Sequence, residues 1–357
     1  MTTDAPGFEP VFCTIVPPHL LDRVARSSDT AKADRARRTL ERDATERHRR
    51  REAALVRTAV APPAAPPADA KPRRTVHDAA HGTTLPGTKV RGEGDEPGAD
   101  ATVNRAYAGL GATFELYLNT YARYSIDGHG LPLDATVHYD RDYNNAFWNG
   151  EQMVFGDGDG EIFLDFTLPV DVIGHELTHG VTQYTANLTY AGQAGALNES
   201  LSDVFGSLIK QYTLNQTATE ADWLIGAGLL APDVQGVALR SMKAPGTAYD
   251  DDVLGKDPQP ADMDHYVDTE EDNGGVHINS GIPNHAFYLL ATELGGQAWE
   301  RAGQIWFDTL TGGDLATDAG FADFARLTAA AARTRYGAGD ETQAVLKAWE
   351  QVGVPTS

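Results

Sequence analysis

The chain has 357 residues, 41% of them hydrophobic, and a formal net charge of −22. That length builds one large domain or two to three small ones around a substantial core, and the acidity argues against nucleic acid as a partner. The single cysteine, Cys13, excludes a disulfide within one chain, and no run approaches the roughly 18 apolar residues of a membrane span.

Residues Met1 to Pro18 lack a charged stretch followed by an apolar one, so no ordinary secretory signal is expected. The expected location is the cytoplasm, or the exterior by another export route. Cys13 to Leu20 contain Pro17-Pro18 and predict a short extended segment, since paired prolines disfavour helix before them. Residues 21–57 hold no Gly or Pro and predict one helix. Ala61 to Pro67 form a semi-rigid Pro-rich linker with Arg73-Arg74 just beyond. A domain boundary and a proteolytic cut are expected there, closing a leader of residues 1–72. The first 80 residues carry 15 Lys and Arg against 11 acids, whereas the remainder has a net charge of −26. A basic leader and an acidic body are suited to dock.

From 75 to 168 the pattern is of short strands between Gly and Asp turns, with Thr136 to Tyr139 and Ile162 to Leu164 strand-like and Ala106 to Tyr124 helical. Gly156-Asp157-Gly158-Asp159-Gly160 predicts a plain turn, because the spacing and closing Glu of an EF-hand are missing. Helices are expected from Val170 onward, over about 170–186, about 197–214 and several stretches from Gly281 to Val352.

The first of these helices carries His175-Glu176-Leu177-Thr178-His179. Histidines four apart project from one face and can clamp a Zn²⁺ ion, with Glu176 beside it. The motif alone is only moderately specific. A catalytic zinc also needs a third protein ligand and an open position for water. Glu199, in Asn198-Glu199-Ser200-Leu201-Ser202-Asp203, supplies that ligand, and Asn198 and Asp203 are candidate supports for the histidines.

Several further motifs follow the same order as in one family. They are Asn144 to Gly150, Gly156 to Gly160, the histidine helix, Asn198-Glu199 to Asp203, Leu239-Arg240-Ser241-Met242, and Asp272-Asn273-Gly274-Gly275-Val276-His277 through Gly281. From about residue 75 to the end the chain resembles the thermolysin family of zinc metalloendopeptidases. Its Cys13 to Leu20 segment resembles the short propeptide of the protealysin-type branch, with His19 an imperfect fit and Leu21 offering a shifted register. The resemblance implies an α+β fold of two lobes, a β-rich one over residues 73–186 and an α-helical one over 187–357, joined by the zinc helix. It also implies a zymogen whose leader acts as an intramolecular inhibitor, peptides or proteins as substrates, and one catalytic zinc on His175, His179 and Glu199.

By the same resemblance Glu176 is the general base, Tyr190 and His277 stabilise the oxyanion, and Asp272 orients His277. Asp203 supports His175, and Asn198 supports His179. Asn145 and Ala146 line an edge for extended peptide, and Arg240 grips the carbonyl beyond the cut. Phe163, Val172, Ile225 and Leu239 line an apolar pocket, which predicts cleavage before Leu, Phe or Ile. The double-calcium site of secreted relatives is expected to be lost. Only Asp171 and Asp222 remain, and Lys210, Ala227 and Val237 stand where acids are expected. Cys13 is expected to be a small buried packing residue. The competing reading is a thiolate that fills the open zinc position. An exopeptidase, or an inactive peptide-binding protein, is the alternative function.

Overall fold

The computed structural model describes residues 13–54 and 65–356, without side chains for 50–54. The first twelve residues and most of the Pro-rich linker lie outside the described residues.

The leader forms two helices, α1 (Pro18–Ala25) and α2 (Thr30–Ala54), where composition predicted one. Pro17 is extended, at φ −61° and ψ 144°, and Pro18 takes the first helical position, where a missing N–H costs nothing. The extended segment expected through Leu20 therefore ends three residues early. Asp29 breaks the helix, because its Oδ1 accepts from the N–H groups of Ala31 and Lys32 and starts α2. Leu20 and Leu21 are both buried.

The first lobe is a five-stranded mixed sheet with one long helix. Its elements are β1 (Arg74–Asp78), β2 (Thr88–Gly92), α3 (Ala101–Tyr121), β3 (Leu133–Val137), β4 (Ala146–Trp148) and β5 (Met153–Phe155), in sheet order β2-β1-β3-β5-β4. The sheet positions β4 at the cleft. Asp100 caps α3 by accepting from Thr102 and Val103, so the helix begins five residues before the expected start. Strand β3 stops at Val137, because His138 adopts a left-handed φ of 53°. Ile162 to Leu164 stay outside the sheet, and Phe163 makes only an isolated bridge to Leu230. The turn expected over Gly156 to Gly160 comes later: Gly156 and Gly158 donate to Asn145 O and Tyr143 O, and the chain bends at 160–162, where Asp159 Oδ1 accepts from the N–H groups of Glu161, Ile162 and Phe163.

The second half is helical: α4 (Val170–Gln183), α5 (Gly192–Leu214), α6 (Asp272–Asn279), α7 (Gly281–Leu294), α8 (Arg301–Thr311), α9 (Phe321–Tyr336) and α10 (Asp340–Gln351). A two-stranded ribbon, β6 (Leu224–Ile225) with β7 (Arg240–Ser241), lies between α5 and α6. Every residue of α4 from Asp171 to Gln183 is buried, so α4 is a central helix. Its crossing with α5 is unusually close. A Cβ on Gly174 would meet Ile209 Cδ1 at 2.6 Å and Gly206 Cα at 3.1 Å, and one on Gly206 would meet Asp171 O at 2.6 Å. These two glycines let α5 come close enough to bring its side chains onto the histidine pair. One hydrophobic cluster runs through both lobes and includes Ile15 and Val16 of the leader. The result is the α+β, two-lobed arrangement that the resemblance implied.

Candidate active site

His175 and His179 stand one turn apart on α4, with their Nε2 atoms 3.1 Å apart. Glu199 reaches them from α5: Oε2 is 3.6 Å from His175 Nε2, and Oε1 is 3.5 Å from His179 Nε2. The outer nitrogens are held from behind, His175 Nδ1 at 2.8 Å from Asp203 Oδ1 and His179 Nδ1 at 2.9 Å from Asn198 Oδ1. Ser202 Oγ adds a contact to His179 Nδ1 at 3.1 Å. Protons held on Nδ1 leave both Nε2 lone pairs facing inward. Glu199 Oε2 is buried and has no hydrogen-bond partner. A buried anionic oxygen of that kind calls for a cation, and two imidazoles with a carboxylate are the donor set of a catalytic zinc. The residues fit the metal.

Burial pushes the Glu199 carboxyl up, but His277, His179, His175 and Arg240 outweigh it and hold it at about 2. Burial likewise opposes the Asp203 charge, and Arg240 and His175 overcome it and keep Asp203 well below the usual carboxylate range. Asp203 accepts from Arg240 Nε and Nη2, each at 2.8 Å, and from Asn284 Nδ2 at 2.9 Å. Arg240, expected as a substrate contact, here braces the support of His175.

His277 and Tyr190 close the other side. Tyr190 donates to Glu199 Oε1, and its hydroxyl lies 3.2 Å from His277 Nε2. Asp272 takes both the backbone N–H and Nδ1 of His277, at 2.9 and 2.7 Å. Burial disfavours charge on His277, yet Asp272 and Glu199 raise its pKa above the ordinary value. This clamp depends on local backbone. Asp272, Asn273, Gly274 and Gly275 all have positive φ, and a Cβ on Gly275 would come within 2.9 Å of Asn279 Nδ2. The left-handed turn folds Asp272 back over the helix it begins. Gln259 Nε2 donates to His277 O at 2.8 Å.

Glu176 Oε2 accepts from the Trp148 backbone N–H at 3.0 Å, which ties α4 to β4. Asn145 and Ala146, at the start of β4, face the leader. Ile15 N donates to Ala146 O at 3.2 Å, Val16 N to Asn145 Oδ1 at 2.9 Å, and Arg240 Nη1 to Ile15 O at 3.1 Å. Phe163, Val172, Ile225 and Leu239 are all buried, in the cluster that also holds Ile15 and Val16. Cys13 is buried, as a packing residue should be, but its Sγ lies 2.9 Å from Glu199 Oε1. His19 is half-buried, and neither ring nitrogen has a hydrogen-bond partner.

Lys210 Nζ lies 2.8 Å from both Asp171 Oδ2 and Asp222 Oδ1 and donates to Leu224 O at 2.7 Å. Burial alone would lower its pKa, and the two acids raise it instead. Trp148, Ser202, Gln259 and Asn284 were missed in the sequence because no spacing rule marks a residue that supports another from a distant element.

Residues 68–183 match the family model described as "Thermolysin metallopeptidase, catalytic domain", and residues 186–354 match that described as "Thermolysin metallopeptidase, alpha-helical domain". A protein named "Extracellular metalloprotease" from Pectobacterium carotovorum subsp. carotovorum is 50% identical over 347 residues, covering 96% of each chain. Protease PrtS of Photorhabdus sp. (strain Az29) is 53% identical over 283 residues, 79% of this chain and 76% of that one. A solved structure of the protealysin precursor from Serratia proteamaculans superposes with a TM-score of 0.86 at 51% identity, covering 96% of this chain and all of that one.

Proposed function

This chain belongs to the thermolysin metallopeptidase family and is a zinc metalloendopeptidase, and on that premise we propose that it is made as a zymogen whose residues 1 to about 72 block its own cleft. The observation that carries this reading is the convergence of His175, His179 and Glu199 beneath a leader that uses the cleft's own peptide contacts. Such mimicry of a bound strand excludes a substrate from the same edge.

In this reading His175, His179 and Glu199 hold the zinc. When bound, the metal supplies Lewis-acid polarisation and brings the pKa of a water close to neutrality. Glu176 takes the proton of the attacking water and passes it to the leaving amine. Tyr190 and charged His277 donate to the oxyanion as it develops, and Asp272 maintains that charge. Asp203 and Asn198 fix the two zinc histidines. Asn145 and Ala146 align the peptide backbone, and Arg240 takes the carbonyl after the cut. The apolar set Phe163, Val172, Ile225 and Leu239 favours Leu, Phe or Ile after the scissile bond, and Ile15 of the leader has that character. Lys210 stands in place of the calcium pair. Relatives named for extracellular activity support work outside the cell, and no described helix is long and apolar enough to cross a membrane. The mature chain would begin before Arg73, whose carbonyl already pairs with Leu133 N at 2.8 Å.

Incubation with casein tests the reading. Wild-type protein is expected to lose its leader and then hydrolyse casein, a zinc chelator to stop hydrolysis, and Glu176→Ala to remain uncut and inactive. Matured wild-type protein that binds peptide without cleaving it would sink the proposal.

A further inference from the structure

Cys13 reaches further into the site than any other described leader residue. Its sulfur is 2.9 Å from Glu199 Oε1 and 3.6 Å from His277 Nε2. One donor atom each from Cys13, His175, His179 and Glu199 lie within 4.8 Å of one another, and all four residues are buried. A sulfur that merely filled space would sit among apolar side chains; this one faces a carboxylate and three imidazoles. Glu199 Oε2 is a second pointer: it is buried without a hydrogen bond, and the imidazole nitrogens of His175 and His277 stand off at 3.6 and 3.5 Å, which marks the centre of the group as a place for a cation. The sulfur is not on a free tail. Two residues on, Ile15 is fixed at both its N–H and its carbonyl, by Ala146 and Arg240, and Val16 is fixed by Asn145.

Two nitrogens, one oxygen and one sulfur make four protein donors. Four is the complement of a closed zinc site, whereas a catalytic site keeps one position for water. Resting on the zymogen reading, we propose that Cys13 is the fourth metal ligand of the precursor, its thiolate occupying the position that water needs until the leader departs. Coordination exchanges the S–H bond for a sulfur–metal bond, and the proton leaves to solvent. The leader then silences the enzyme twice, by filling the peptide edge and by completing the coordination.

The test uses the full-length chain held uncut by Glu176→Gln, stripped of metal and reloaded with cobalt(II) or zinc. The expected results are a thiolate-to-cobalt charge-transfer absorption and one sulfur at about 2.3 Å in zinc X-ray absorption. Both are expected to vanish in the same background carrying Cys13→Ser or Cys13→Ala. One metal ion bound by nitrogen and oxygen alone overturns Cys13 as a ligand and leaves the zymogen reading intact. No bound metal ion overturns both. The spectra of the Cys13-containing chain decide the matter even if a Cys13 variant does not fold.

Discussion

Asp203 shows how much one buried carboxylate organises. It receives His175, the Nε and Nη2 edge of Arg240 and Asn284. Arg240, which holds the Ile15 carbonyl of the leader, is thereby coupled to His175. Lys210 plays a comparable part on the far side of α4, bridging fully buried Asp171 to Asp222. Lys210→Met removes one member of a buried pair and leaves a carboxylate uncompensated, which typically costs about 3–5 kcal/mol. The expected result is a clear fall in melting temperature by calorimetry. Micromolar calcium should leave the wild-type melting temperature unchanged, since an ammonium already sits between the acids.

Helix α2 shows the same logic at the scale of an element. Arg35 pairs with Asp159 and Glu161, Arg42 with Asp140, and Arg38 lies 3.6 Å from Asp142. Partly exposed pairs of this kind contribute little singly. Beneath them Tyr143 donates to Asp43, Asn145 Nδ2 donates to Asp43 at 3.0 Å, and Tyr139 donates to Glu46 at 3.1 Å. Burial pushes Asp43 up to about 7, against the pull of Tyr143, Asn145 and Arg47. A carboxyl raised in the docked state favours docking most below its free value of about 3.8 and loses that contribution as pH rises through 7. Leader release, followed by limited proteolysis of the Glu176→Ala chain, should therefore quicken between pH 4 and 7. Asp43→Asn should flatten that slope.

Elements also explain what could be read in advance. The metal helix was legible because the i, i+4 pair and Glu199 carry chemistry that few other patterns need. The division of α1 from α2 was not, because Asp29 stops a helix by a side-chain bond in a stretch free of Gly and Pro. Nor was the support from Asn284 and Gln259, whose roles arise only once α7 and the preceding loop pack against the site. Cys13 carried two readings, a packing residue or a thiolate at the metal, and local pattern could not choose between them because its polar neighbours stand 186 and 264 positions away.

At the scale of the whole molecule, a basic leader lies on a body whose residues 81–357 carry a net charge of −26, with its tip at the candidate metal group. The tether crosses the Pro-rich stretch between α2 and β1. Asn145 is the point where the leader's two parts meet. Its one amide serves Val16 at the tip and Asp43 on α2. Severing the tether breaks none of these bonds; it changes only their molecularity, from a local concentration set by a short linker to that of the tube. A nicked preparation should then stay silent when concentrated and awaken on dilution, to an extent that grows as the total concentration falls. How crowded the enzyme is, as much as whether it has been cut, would decide when it begins to work.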